Sequence, residues 1–283
     1  MSGITREAAP LLAIFAAAMF CGEVRSLNEV DVKSRPVVQM PRETVSLPDS
    51  VDLEPGEYGG HLQDVCRDGK FLYWTHTRTI LKTGFDGRIV ARAEDSDHNA
   101  GCRVKDGRLY VAVCKRGGRI PLADREEYQL QINIYDAGDL HLIEKKVIAG
   151  AFDRAGSLEI LPDGSFVIGC LRPPEVASDQ VRFYHLSEDF KVLSRHEIDR
   201  MPVRFGIENI KYYGGRLYCF IYDGDTVVLD GKSFVEKGRH SETGGQLGAV
   251  LEKDGVWVGR CEAREDTPSI YRSSLIRAAD FRP

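Results

Sequence analysis

From residue 68 onward, short runs in which apolar and polar positions alternate are introduced by glycine-containing two-residue turns. Asp68-Gly69 precedes KFLYW, Asp106-Gly107 precedes RLYVAV, and Asp163-Gly164 precedes SFVIGC. Gly214-Gly215 precedes RLYCFI, and Asp254-Gly255 precedes VWVGR. Alternation is the mark of a strand with one buried face. Asp-Gly and Gly-Gly between two such runs favour type I′ hairpin turns, where both central residues need φ > 0. Five such turns, roughly forty to sixty residues apart, form a repeat. Each unit carries a second hairpin further on, at 79–93, 132–148, 181–198 and 226–238, with a shortened version at 270–281. The unit is therefore four antiparallel strands, which is the grammar of a β-propeller blade. No segment within 50–283 sustains the i, i+3, i+4, i+7 apolar spacing of a helix for three turns. The pattern predicts an all-β fold, a five-bladed β-propeller of four-stranded antiparallel blades. Closing the ring needs one more strand, because an open edge would be left unpaired. Residues 37–47 (VVQMPRETVSL) are expected to supply it to the last blade.

Composition bounds the setting. The chain has 283 residues, 42% of them hydrophobic, with 28 Gly and 12 Pro, an ordinary globular balance. Its 38 Lys and Arg against 43 Asp and Glu give a net charge of −5. No basic block interrupts the mixture, so a nucleic-acid partner is not expected. The apolar run Leu11–Phe20 is about half the length of a bilayer-spanning helix, which excludes a mature membrane span on that segment. Arg6 before it and Ala16, Ala17 and Ala18 within it fit a secretory signal peptide, the alternative being an N-terminal helix packed on the domain. The resulting division is a leader at 1–22, a connector with the closing strand at 23–54, and the propeller at 55–283. The mature protein is expected to be secreted or periplasmic and monomeric. Cys21 would suit a lipidation signal, but the bulky Phe20 precedes it. The other six cysteines are an even number, compatible with disulfides in an oxidising compartment. None has CxxC spacing, and Cys114, Cys170 and Cys219 read as reduced, buried strand residues.

Propeller topology gathers the starts of the innermost strands around one mouth of the central channel. The residues placed there are His61, Gln63, Asp97, His98, Asn99, Ser157, Glu159, Glu208, Asn209 and Gln246. Strand alternation sets His61 and Gln63 on one side, with Asp64 opposite. A polar ligand is expected to use His61, Gln63, His98, Asn99, Glu208, Asn209 and Gln246. Oxygen donors from Asp97, Asn99, Glu208 and Asn209 would suit Ca²⁺ or Mg²⁺, and the two imidazoles would shift preference towards Zn²⁺. A channel lined by polar groups that hold only water is the competing reading. His76, His141, His185, His196 and His240 are expected to be solvated or locally hydrogen-bonded. Segment 94–101 (EDSDHNAG) faintly follows an EF-hand loop but lacks its glycine and reads better as a polar crossing between blades. The long loops 115–130 and 171–180 suit a lid, a partner contact or simple solvated insertions.

The segment LYWTHTRTILKTGFDG (72–87) resembles the YWTD repeat of low-density-lipoprotein-receptor-type propellers. Tyr73, Trp74 and Thr75 are in place, and His76 stands where that repeat has Asp. Over roughly 55–283 the chain is similar to the secreted gluconolactonase-like, NHL-like and lactonase-like bacterial propellers. That resemblance implies a channel metal held by Glu208 and Asn99, with Asp97 as base, polarising a lactone and activating water. The chain lacks the gluconolactonase-like opening Glu-Gly-Pro and has one blade fewer. It also has no GxSxG, GxxxxGK[ST], HExxH or GxGxxG motif. The leading expectation is an exported propeller that binds a polar small molecule, glycan or protein at its channel mouth, without chemistry of its own. The alternative is a metal-assisted hydrolase of lactone or sugar-derived substrates, in which Glu208, Asn209 and Asn99 hold the metal while His61 or Asp97 activates water.

Overall fold

Each of the five hairpins that the pattern predicts joins the two innermost strands of a sheet, with the turn itself shifted by a residue in two of them. The computed structural model describes residues 45–114, 129–152, 154–171, 181–198, 206–222, 225–241 and 244–279. The expected leader, the connector up to residue 44, and the long loops at 115–128 and 172–180 lie outside the described residues. Two short strands come first, β1 (Ser50–Asp52) and β2 (Gly56–Glu57). Blade 1 then runs outward through β3 (Leu62–Asp68), β4 (Phe71–His76), β5 (Thr79–Thr83) and β6 (Ile89–Glu94). Blade 2 comprises β7 (His98–Lys105), β8 (Arg108–Cys114), β9 (Gln129–Asp136) and β10 (Leu142–Phe152). Blade 3 comprises β11 (Arg154–Ile160), β12 (Phe166–Leu171), β13 (Val181–Leu186) and β14 (Val192–Ile198). Blade 4 comprises β15 (Ile207–Tyr213), β16 (Arg216–Ile221), β17 (Thr226–Asp230) and β18 (Glu236–His240). Blade 5 contributes β19 (Ala249–Glu252), β20 (Gly255–Ala263) and β21 (Ile270–Arg277). This is the five-bladed β-propeller that the repeat predicts, with no α-helix among the described residues.

The turns differ in detail. Asp106-Gly107 and Gly214-Gly215 have positive φ at both positions, as type I′ requires. In blade 1 the pairing of Asp68 with Phe71 moves the loop to Gly69-Lys70, so only Gly69 needs positive φ. In blade 5 it is Lys253-Asp254 that turns, between the paired Glu252 and Gly255.

Ring closure differs from expectation in place. The fourth strand of blade 5 is β1, with Ser50 opposite Ile276, Val51 opposite Leu275 and Asp52 opposite Ser274. Residues 45–47 are not in a strand, and 270–277 is one strand, not a shortened hairpin. The local reason is alternation: Val51 is buried while Ser50 and Asp52 face water. Leu47 and Leu53 enter the same core, and Trp257 Nε1 donates to the Pro48 carbonyl at 2.7 Å.

Five apolar clusters fill the seams between successive blades. Tyr73, Ile80 and Leu109 lie between blades 1 and 2, and Tyr110, Phe166 and Leu158 between 2 and 3. Phe183, Ile210 and Leu217 join blades 3 and 4, Phe220 and Ala249 join 4 and 5, and Trp257, Val51 and Trp74 join 5 and 1. Around the axis the innermost strands touch backbone to backbone. A Cβ on Gly101 would lie 2.3 Å from the Leu158 amide nitrogen. At Gly248, where φ is +107°, a Cβ would meet the Val65 nitrogen at 2.6 Å. Side chains are excluded at both places so that neighbouring blades can converge.

Candidate functional site

The innermost strand of each of blades 1 to 4 carries a β-bulge near its start. In blade 1 Leu62 pairs with His76 and Asp64 with Thr75, leaving Gln63 as the extra residue. Glu208 is the extra residue of blade 4, between Ile207 and Asn209. A bulge re-aims the side chains that follow it. Here it carries Asp64 inward, against the expectation from simple alternation.

The expected mouth residues divide into two groups. Gln63 is buried beside His61: its Nε2 lies 3.2 Å from His61 Nε2, while His61 Nδ1 donates to the Leu62 carbonyl. Asn99 donates from Nδ2 to the His76 carbonyl at 3.1 Å, and Asn209 donates from Nδ2 to Asp64 Oδ1 at 2.7 Å. A carbonyl and a carboxylate can only accept, so these partners fix which end of each amide is nitrogen. The Oδ1 atoms of Asn99 and Asn209 are then buried without a hydrogen-bond partner, as is Ser157 Oγ on the innermost strand of blade 3. Glu208 is mostly buried, His98 opens β7, and Gln246 lies on the 3-10 turn Gly245–Leu247 leading into blade 5. Asp97 behaves differently. Its carboxylate faces Lys145 Nζ at 3.8 Å, on the outermost strand of blade 2. Its neighbour Asp95 accepts from Asn133 and Tyr135 at 2.6 Å each, so 94–101 is a tied crossing between blades.

Below these residues the axis is closed by charge. Asp64, fully buried, accepts from Lys211 Nζ at 2.6 Å, Arg103 Nη1 at 3.0 Å and the Cys102 amide at 2.9 Å. Arg103 also donates to both carboxylate oxygens of Glu159, at 2.7 and 2.9 Å, and to the Ile210 carbonyl across the ring. Two carboxylates and two cations from four blades thus balance one another. Burial pushes the Asp64 carboxyl up, but the charges of Lys211 and Arg103 outweigh it and hold it below the usual carboxylate range. Burial and the adjacent Arg103 pull the Lys211 ammonium down, against the attraction of Asp64 and Glu159. The expected mouth set included Glu159 but missed Asp64, Arg103 and Lys211. A signal was present: each adjoins an apolar residue (Val65, Val104 and Ile210) within an inner strand, where a charge needs a partner.

On the tight-turn face, opposite the expected mouth, a cavity of about 940 Å³ opens. Cys66, Arg67, Glu252, Arg103, Glu159 and Lys211 are among its lining residues. Several of its charged groups are already paired: Arg67 bonds Glu252, Lys211 bonds Asp64, and Glu159 accepts from Arg103, Ile160 N and Tyr212 N.

His76 corrects a further expectation, since it is fully buried instead of solvated. Its ring packs on Tyr58 with centroids 4.6 Å apart, and Nε2 meets Ser273 Oγ at 2.9 Å. By contrast His141, His185 and His196 are hydrogen-bonded locally, as expected. Burial drives the His76 imidazolium down to about 3. The folded state therefore keeps His76 neutral where the unfolded chain binds a proton. Stability is lost as pH falls below the unfolded value near 6.5, by up to about 1.4 kcal/mol per pH unit, until the folded value is reached. Chemical denaturation from pH 7 to 4 should show this slope as the difference between wild type and His76→Gln. Parallel profiles would refute it.

Charge at the axis bears on the implied metal. The set Asp97, Asn99, Glu208 and Asn209 does not fit a hard cation well. Asp97 turns to Lys145, and Asn209 is bonded to a carboxylate already holding Lys211 and Arg103. Among the described residues the close group of His and acidic side chains is Asp136, Asp139 and His141, on an exposed turn far along blade 2 from these residues.

No protein-family model matches the chain, and no curated protein matches it. Solved structures do. The glutaminyl cyclase of Myxococcus xanthus superposes with a TM-score of 0.52 at 11% identity, covering 81% of this chain and 97% of that one. The likeness is one of fold. A Bacteroides caccae protein of unknown function aligns at a TM-score of 0.46 and 12% identity, over 75% of this chain and 77% of its own. The glutaminyl cyclase therefore supports a β-propeller and transfers no catalytic role at this identity.

Proposed function

We propose that this propeller binds a polar ligand rich in hydrogen-bond donors at the strand-start end of its channel, without chemistry of its own. The observation that carries the reading is the pair of buried amide oxygens on Asn99 and Asn209, each left without a partner while its own nitrogen is engaged. Buried polar groups are nearly always satisfied, so such atoms on the innermost strands call for a donor from outside the chain. Both are acceptors, as is a carboxylate at Glu208. The fitting chemistry is a polyhydroxylated small molecule or glycan, or the hydroxyl and amide groups of a protein partner. His61, Gln63, His98 and Gln246 are assigned to the same mouth. The reading keeps the chain an exported, monomeric protein acting outside the cytoplasm. The metal-assisted hydrolase has less support, because Lys211 and Arg103 oppose a cation near Asn209.

Thermal shift against a panel of sugars and polyols, followed by calorimetry on any hit, tests the reading. A hit is expected to raise the melting temperature, and Asn99→Leu to weaken its binding about tenfold, the loss of roughly one hydrogen bond. No shift across the panel, with ordered water on both amide oxygens in a crystal, would sink the proposal. A Ca²⁺-dependent rise abolished by Glu208→Gln would instead favour the hydrolase.

A further inference from the structure

Cys66 and Cys102 stand apart from the other cysteines. Their Sγ atoms lie 3.4 Å apart, both buried, on the innermost strands of blades 1 and 2. Cys114, Cys170 and Cys219 are also buried, but each sits in a separate strand, the last with its thiol pushed up to about 12 by burial. Disulfide formation needs the sulfurs to close to about 2.05 Å, a movement of little more than an ångström that χ1 rotations can supply.

The two thiols are not equivalent. Cys66 lines the cavity on the tight-turn face, which is roomy enough for a small peptide-like molecule. Cys102 is fully buried, and burial holds its thiol well above the usual value. Among the described residues, the Cys66 side offers the route for an oxidant, and Cys102 is the thiol in place to resolve what forms there. We infer that Cys66 and Cys102 are an oxidisable pair that becomes a disulfide stapling blade 1 to blade 2. The oxidant is a low-molecular-weight disulfide of the glutathione class.

The Cys66 thiolate attacks one oxidant sulfur, its proton passing to solvent. A mixed disulfide forms and the first oxidant thiolate leaves. Cys102, losing its proton, attacks Cys66 Sγ and expels the second thiolate. Two cysteine thiols are oxidised, one oxidant disulfide is reduced to two thiols, and two protons balance those thiolates. The product crosslinks strands already joined by Asp64 and the Cys102 amide. Because the bridged residues are 36 positions apart, the crosslink also restricts the unfolded chain.

The test uses the full chain, incubated with oxidised or reduced glutathione, denatured, alkylated and digested without reductant. The expected result is one peptide pair joined through Cys66 and Cys102. The oxidised protein should melt roughly 5–10 °C above the reduced form. Cys66→Ala and Cys102→Ala should each abolish that rise. Glutathione retained on Cys66 would overturn the proposal, as would both thiols still alkylating or a bridge to any other cysteine. The peptide map of the wild-type chain decides even if a variant fails to fold.

Discussion

Replacing Asp64 by asparagine is expected to lower stability by about 3–5 kcal/mol, the cost of removing one partner from a buried ion cluster. The substitution keeps the shape but leaves Lys211 and Arg103 sharing the single carboxylate of Glu159 at the axis. The Cys102 amide bonds Oδ2 and Asn209 bonds Oδ1, so the single oxygen of asparagine serves only one of them and the loss combines charge with one hydrogen bond. Adding Lys211→Met restores the balance, with Arg103 facing Glu159 alone. The double variant is therefore expected to be more stable than Asp64→Asn by itself, a coupling that a double-mutant cycle isolates. Urea midpoints on the four proteins measure it. A loss under about 1 kcal/mol, or strictly additive effects, would mean that water reaches the cluster and screens it.

Val51→Asp is the second large expected effect. Val51 is the one inward residue of β1, packed with Leu53, Trp257 and Leu275 in the seam of blades 5 and 1. A carboxylate there has no partner, so a loss of about 3 kcal/mol or more is expected, much of it through release of the strand. Detachment would expose the edge of β21, the kind of unpaired edge that recruits another chain. Light scattering should therefore show association as well as a lower melting temperature. Ser50→Asp, on the exposed face of the same strand, should change stability by no more than about 0.5 kcal/mol. Equal effects from the two substitutions would show that β1 contributes little to closure.

What could be read from the residues alone follows the range of the interactions. The five hairpins depend on neighbours, such as Asp106-Gly107 between VK and RLYVAV, and each lies within a residue of where the pattern places it. β1 has only three residues and gains its identity from a strand at the other end of the chain, so 37–47 offered an equally plausible but different edge. At the axis, strict alternation failed because a bulge is invisible in an apolar-polar pattern. Gln63 was placed with His61, which the structure bears out as a contact, while Asp64 was set aside and proves to be the hub. For His76 the sequence predicts a solvated or locally hydrogen-bonded ring, the usual state of histidine. Its burial depends on Tyr58 and Ser273, which lie outside the strand that carries it.

Pairing of β1 with β21 also sets an order of events. Ser50 leaves the ribosome among the first residues of the ring and cannot meet Ile276 until the strands of all five blades have been made. Blades 1 to 4 draw their strands from consecutive sequence and are free to form as they emerge. Blade 5 must wait, and the exposed flank of β21 is shielded only at the last step. A nascent chain stalled before residue 270 would hold four blades and an unclosed ring, so the slowest phase of folding is expected to be the docking of the N-terminal strand.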